Sequence, residues 1–319
     1  MASGWSAWRP LAGAPAMPPA VLAETLDGGQ AFRWHRQSDD SWLGVWGDCI
    51  AQIQRDPDGC LVWRAPAPLA PRVAAALPHY LGLDRDFAAL ADSLPRRSDA
   101  HLAQCLAAFP GLRILRQPFG ETLLGFLCSA TKQIVQIKQM LALLAERHGR
   151  PVAERVSVSS SGENRTVSAT LHALPTWPEL ATIPESDLRA CLLGFRSRYI
   201  SQTAQFLAAH PGWLEETEAT PYPLAKERLC SLPGVGEKIA DCVLLFGAGR
   251  LEAFPVDTWI LQALARRYGL DGWKPAQVAQ FGRAHFGPLA GLAQQYLFAY
   301  ERAARDGTTL DQSQRHGQK

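Results

Sequence analysis

Apolar and polar residues change their spacing along this chain. From Gln30 to Arg36 they alternate, with Phe32 and Trp34 on one side and Arg33 and His35 on the other. A period of two belongs to a half-buried strand. Trp42, Val45 and Trp46 follow, then the run Ile50 to Gln54, the turn Asp56-Pro57-Asp58-Gly59 and the run Cys60 to Trp63. This order predicts a small antiparallel sheet over about 30–65, with short helices after it at 71–81 and 84–92.

From about residue 98 the apolar positions recur at helical spacing. Candidate helices span 98–108, 119–130, 133–148, 185–193, 197–209, 221–231, 237–248, 258–268, 276–286 and 291–304. The stretch 152–172 interrupts them, because a Ser-rich turn, Ser157 to Gly162, separates two Val-containing runs. It reads as an exposed hairpin or a flexible insertion. Pro10, Pro15, Pro18 and Pro19 break up the opening residues, and the residues from Asp306 are polar. The expected class is α+β. A β-rich domain at 21–115 leads into an all-helical region at 116–305, between flexible tails at 1–20 and 306–319. No internal repeat is visible.

Composition narrows the function classes. The 319 residues are 47% apolar and 19% charged, with a net charge of +2, so any DNA-facing charge must be local. The seven cysteines have none of the two-residue spacings of a zinc or iron–sulfur ligand set and read as reduced thiols. The Pro-broken start is not a secretory signal, and no stretch reaches the roughly 18 apolar residues of a membrane helix. A soluble, cytoplasmic protein without a membrane partner is expected.

The richest chemistry lies in Leu229-Cys230-Ser231-Leu232-Pro233-Gly234-Val235-Gly236-Glu237-Lys238-Ile239-Ala240-Asp241-Cys242. One amphipathic helix ends at Leu232, Pro233 cannot continue it, and a second begins after Gly236. With glycine at 234 and 236, conformations closed to other residues are allowed. A phosphate can then approach the backbone N–H groups of the new helix, where the dipole favours an anion. Such a contact grips the DNA backbone without reading sequence. Lys238 stands in the first turn, where the dipole disfavours an ammonium, and a neutral amine is a nucleophile. A solvated lysine touching phosphate is the ordinary alternative. Asp257 follows 19 residues later, before the helix at 258–268. Capping that helix is its ordinary role, and a cap can also aim its carboxylate into a cleft beside Lys238.

Residues 229–258 resemble the signature of the helix-hairpin-helix DNA glycosylase superfamily, with the catalytic Asp in Val256-Asp257-Thr258. In that superfamily a lysine at the position of Lys238 marks bifunctional enzymes with lyase activity. The chain is further similar to 8-oxoguanine DNA glycosylases, of the bacterial branch, over about residues 20–305. The matches are Gly29-Gln30-Ala31-Phe32-Arg33-Trp34, Leu112 to Gln117, Phe126 to Ser129, Gly194 to Tyr199, and Gly287 to Gln294.

The resemblance implies a lesion pocket. The Gly29 carbonyl would face the base, Gln294 would bond its Watson–Crick edge, and Phe298 and Cys242 would sandwich its ring. Guanine presents N7 as an acceptor, whereas 8-oxoguanine carries a hydrogen there, so a fixed carbonyl attracts the lesion and repels the normal base. Phe298 and Cys242 as plain core is the competing reading. Phe195 matches the aromatic that fills the gap left by the flipped base, and Arg196 a residue that contacts the orphaned cytosine. The chain departs at Thr131-Lys132-Gln133, where eukaryotic relatives carry an Asn run, at Gln136 in place of an Arg, and at Trp259 in place of a His.

The implied activity is base excision with β-lyase cleavage. Its partner is duplex DNA containing oxidised guanine, acted on by a monomer without a cofactor or catalytic metal. Carbonyls of Cys230, Leu232 and Val235 are candidates for a structural cation. Two readings compete: a glycosylase of the same superfamily for another lesion, and a noncatalytic DNA-binding module.

Overall fold

A computed structural model describes residues 4–160 and 163–305. The strands are β1 (Arg9–Pro10), β2 (Trp34–Arg36), β3 (Trp42–Trp46), β4 (Cys49–Arg55), β5 (Leu61–Arg64), β6 (Pro151–Ser160) and β7 (Glu163–His172). The helices are α1 (Pro19–Asp27), α2 (Ala70–Tyr80), α3 (Phe87–Asp92), α4 (Ala100–Ala108), α5 (Phe119–Cys128), α6 (Ile134–His148), α7 (Trp177–Thr182), α8 (Glu185–Leu188), α9 (Arg196–Ala209), α10 (Trp213–Ala219), α11 (Tyr222–Cys230), α12 (Glu237–Phe246), α13 (Thr258–Tyr268), α14 (Pro275–Phe286) and α15 (Ala290–Arg305).

The expected sheet is present and antiparallel, in the order β1-β5-β4-β3-β2. Its aromatic residues form its inner face. Trp34 stacks on Trp46 at 5.7 Å, and its indole N–H donates to the Tyr80 hydroxyl at 3.0 Å. Trp34 and Trp42 are buried, as aromatics on the inner face of a strand should be, and so is Phe32 just before β2.

The loose tail expected at 1–20 is overturned over its described residues, 4–20. Arg9 and Pro10 pair with Trp63 and Val62, Trp5 bridges to Pro66, and Leu11 and Met17 are buried. Left uncovered, β5 would be an open edge with unpaired backbone groups, and a short Pro-containing strand covers it. The Arg64 guanidinium lies 4.5 Å from the Trp8 ring and adds a cation–π contact. The tail expected at 306–319 lies outside the described residues.

The interruption at 152–172 is a hairpin, β6 with β7. Its turn residues 161–162 lie outside the described residues. At its base Val152, Ala153 and Leu171 pack on Leu43, Val45 and Ile50, covering the second face of the sheet.

The helical part is built around α5, which packs on α12, α6 and α9 and is buried along most of its length. Phe126 of α5 stacks on Phe246 of α12 at 5.6 Å. Helix α15 packs against α4, α13 and α14. One continuous apolar core runs from Leu11 to Ala299, so the sheet and the helices stabilise each other. Helices α1, α7 and α10 were not expected. Two of them carry start signals in the sequence: Pro at the first turn of α1, and the capping box Thr176 to Glu179 of α7.

Candidate active site

Helices α11 and α12 form the expected hairpin. Asp241, 1% exposed, accepts from the Tyr222 hydroxyl at 2.7 Å and from Lys226 Nζ at 3.0 Å, which pins the second helix to the first. Burial pushes the Asp241 carboxyl up, and the Lys226 charge pulls it back. In the turn, Gly234 has φ +78, and a Cβ there would lie 2.7 Å from the Tyr199 ring. Only glycine meets both demands. Gly236 differs from expectation: its φ is −93, which any residue adopts. A Cβ there would meet no atom within 4 Å, so glycine at 236 keeps the start of α12 open to an approaching group. Of the carbonyls named for a cation, that of Leu232 accepts the Val235 N–H at 3.1 Å and keeps one lone pair.

Lys238 and Asp257 converge, each in or at the first turn of its helix. Both line one cleft of about 1010 Å³, together with Ser129, Lys132, Trp259 and Arg302. Lys238 Nζ lies 5.2 Å from the Phe126 ring and donates to Ser129 Oγ at 3.4 Å. Asp257 caps α13, accepting the Ile260 N–H at 2.8 Å. Burial pushes the Asp257 carboxyl above the usual aspartate range, and the Ile260 N–H and the Lys238 charge pull it part of the way back.

A smaller recess of about 50 Å³ shares Gly29, Phe126, Lys238, Asp257 and Phe298 with the cleft and is lined also by Cys242 and Gln294. The structure thus brings together all four residues expected at the lesion and both expected at the chemistry. Cys242 is buried, and desolvation raises its thiol to about 12 against the pull of Lys238, so it stays protonated. Gln294 is 3% exposed and its Oε1 accepts from Gln295 Nε2 at 2.7 Å. Gln294, Phe298 and Arg302 recur every four residues on α15 and share a face. Arg302 pairs with Glu24 of α1, which ties that face to the segment leading into Gly29.

This arrangement is shared with known proteins. Residues 18–123 match the family described as 8-oxoguanine DNA glycosylase, N-terminal domain. The fold is similar to that of the Clostridium acetobutylicum 8-oxoguanine glycosylase/lyase, solved in complex with dsDNA containing cytosine opposite to 8-oxoG. Identity is 30%, the TM-score is 0.78, and the match covers 90% of this chain and 92% of that one. The chain belongs to the 8-oxoguanine DNA glycosylase family. It is also similar to N-glycosylase/DNA lyase OGG1 of Arabidopsis thaliana, at 29% identity over 89% of this chain and 78% of that protein. A 3-methyladenine DNA glycosylase from Archaeoglobus fulgidus shares the fold, with 19% identity and a TM-score of 0.68 over 93% of this chain and 98% of that one.

Two further residues of this family member stand beside Phe195. Phe195, expected from the resemblance to fill the gap left by a flipped base, is 54% exposed. Leu192, which sequence reasoning missed, is 52% exposed with φ +63, so the chain presents two apolar side chains close together in sequence. An exposed leucine in a left-handed turn has no sequence signature. Arg196 is 3% exposed. Its guanidinium donates to the Leu193 carbonyl at 3.2 Å, to Thr131 Oγ1 at 3.1 Å and to the Ala130 carbonyl, and lies 4.4 Å from the Phe195 ring. Gln136 is also engaged, accepting the Gln133 N–H at the start of α6. Trp259 faces the Arg305 guanidinium at 4.4 Å. Among the described residues, no helix is long and apolar enough to cross a membrane.

Proposed function

We propose that this protein excises 8-oxoguanine from duplex DNA and then cleaves the strand by β-elimination. The observation that carries this reading is the shared lining: an amine and a carboxylate border both an open cleft and an adjoining recess lined by Gly29, Cys242, Gln294 and Phe298. A noncatalytic DNA-binding module has no need of that combination.

The flipped nucleotide's base would enter the recess, with Phe195 filling the gap at a cost of a few kcal/mol for flipping. As the C1′–N9 bond breaks, C1′ gains positive character, and the Asp257 carboxylate stabilises it through space. The neutral Lys238 amine bonds to C1′ as the base leaves with the C1′–N9 electron pair and takes up the proton that the amine loses; the C1′–O4′ bond then opens, O4′ taking a proton from solvent, to give a Schiff base. Loss of a C2′ proton then expels the 3′ phosphate. The start of α12 and the Gly234–Gly236 turn would hold a DNA phosphate. A cation on the carbonyls of Cys230, Leu232 and Val235 would add positive charge at that contact.

The test is a panel of duplexes, each holding one lesion, with strand cleavage resolved on a denaturing gel. Rapid cleavage at 8-oxoguanine and little at thymine glycol, mismatched adenine or alkylated bases is expected. Preference for any of those three overturns the substrate assignment.

The opposite base should matter less than in relatives with an Asn run and an Arg at these positions. Thr131 Oγ1 already accepts from the Arg196 guanidinium and Gln136 Oε1 from the Gln133 N–H, and neither side chain carries the five-donor fork of an Arg. Excision rates opposite C, A, G and T are expected to lie within about tenfold of one another, a spread of about 1.4 kcal/mol. A spread of 10³ or more would overturn this expectation.

A further inference from the structure

We infer that Gln30 and Gln117 are positioning residues for lesion discrimination: they hold the Gly29–Gln30 peptide in the orientation that decides between 8-oxoguanine and guanine. The inference rests on the reading of Gly29 given above and extends it to residues that touch no DNA in that reading.

Gly29 carries the carbonyl that would accept the lesion's N7–H. It lines the recess at φ +99, and its would-be Cβ would meet nothing nearer than Ile134 Cδ1 at 3.4 Å, with Phe298 Cε1 at 3.9 Å, ordinary van der Waals contacts. Space is therefore not what demands glycine; the backbone angle is. A glycine without neighbours pressing on it is also free to turn. Among the described residues no N–H or O–H donates to the Gly29 carbonyl, so nothing on that oxygen fixes its direction. A freely turning peptide presents its N–H as readily as its C=O, and an N–H there would favour guanine's N7 acceptor.

What prevents the turn lies on the other side of the peptide. Gln30 is 1% exposed, and its side-chain amide is bound at both ends: Nε2 donates to the Arg113 carbonyl at 2.8 Å, and Oε1 accepts the Leu115 N–H at 3.0 Å. The Gln30 carbonyl accepts from Gln117 Nε2 at 2.7 Å. Gln117 is held in turn, since its N–H donates to the Phe246 carbonyl at 2.8 Å. Flipping the Gly29–Gln30 peptide requires compensating rotation at ψ of Gly29 and φ of Gln30. The anchors hold the Gln30 side chain and carbonyl in place, so the flip would have to carry the φ of Gln30, which is not positive, towards the positive region that a non-glycine residue rarely adopts. The receiving segment is itself rigid: the Arg113 guanidinium donates to the carbonyls of Leu81, Gly82 and Arg85.

The test compares 8-oxoguanine with 8-methoxyguanine, which has a substituent at C8 but an N7 lone pair in place of N7–H. Single-turnover excision of each is measured for the wild-type protein, Gln117→Met and Gln30→Met. Cleavage of a preformed abasic site, which places no base in the recess, is measured alongside. Gln117→Met removes one bond at a half-buried position. It is expected to reduce the preference for 8-oxoguanine about five- to tenfold, the scale of one hydrogen bond, with abasic-site cleavage within about twofold of wild type. Gln30→Met leaves the Arg113 carbonyl and the Leu115 N–H unpaired. It should reduce the preference further, and Gln117→Met decides the matter where that variant does not fold.

If the wild type does not distinguish the two bases, the Gly29 reading itself fails. If the wild type distinguishes them and Gln117→Met keeps the full preference, only the present inference fails. A parallel loss of base excision and abasic-site cleavage in Gln117→Met also overturns it, because a general structural defect would then suffice.

Discussion

Lys238→Gln is expected to leave a protein that binds lesion-containing DNA but forms no covalent adduct on borohydride reduction. Glutamine retains much of the aliphatic stem but loses the amine that lies 5.2 Å from the Phe126 ring. Without the amine there is no bond to C1′ and no Schiff base, so β-elimination at a preformed abasic site stops as well. Base excision should fall by about three orders of magnitude or more, the scale seen when a covalent nucleophile is removed. The neighbouring thiol cannot take its place. Cys242 is raised to about 12 by burial and offers almost no thiolate near neutral pH. The measurement is gel detection of the trapped adduct, with lesion binding followed by anisotropy. An undiminished adduct would mean that a different amine attacks the sugar.

Asp257→Asn separates catalysis from stability. Asparagine caps a helix as well as aspartate does, so the bond to the Ile260 N–H survives. The charge that stabilises C1′ does not. Excision should fall by about 10²–10³-fold, the cost of removing one preorganised electrostatic partner. The folded protein should lose nothing. Burial raises the Asp257 carboxyl above its unfolded range, so the folded state binds a proton more readily than the unfolded chain. Its contribution to stability therefore declines as pH rises through the folded value, and at neutral pH the ionised group is a net cost. At pH 7 the variant's Tm is expected to equal or exceed that of wild type. The same shift sets the acid limb of wild-type excision. As pH falls, the carboxylate should protonate above the ordinary aspartate value of about 3.9, and single-turnover excision should decline there. A limb at or below that value, or a variant that excises normally, would remove Asp257 from the reaction.

These outcomes test roles that were partly legible without coordinates. The order of sheet then helices followed from the change of period at about residue 98, because strands and amphipathic helices imprint different spacings. The helix-hairpin-helix was legible because Pro233 and the flanking helical patterns leave few alternatives. The opening residues misled, since β1 is two residues long and is stabilised by its partner strand, not by its own pattern. Gly236 misled in another way. A glycine kept for access looks the same in sequence as one kept for its backbone angle, and only the φ of −93 tells them apart. Arg196 and Gln136 were assigned by position alone, and their hydrogen bonds to Ala130, Thr131 and Gln133 depend on loops whose approach no local pattern encodes.

By itself, then, the amino-acid order determined most of the longer elements and the hairpin, because these are local: periodicity, caps and helix-breaking residues act over a few positions. The choice of Lys238 and Asp257 as amine and carboxylate came from the resemblance of residues 229–258 to a family signature. Only the tertiary structure decided that Gly29 from the N-terminal turn and Gln294 and Phe298 from α15 line one recess with Lys238 and Asp257. It also decided that Gln30 is anchored to a segment more than eighty residues away. The physical reason is that such contacts are set by how separate elements bury their apolar faces in one shared core, and that packing is a property of the whole chain.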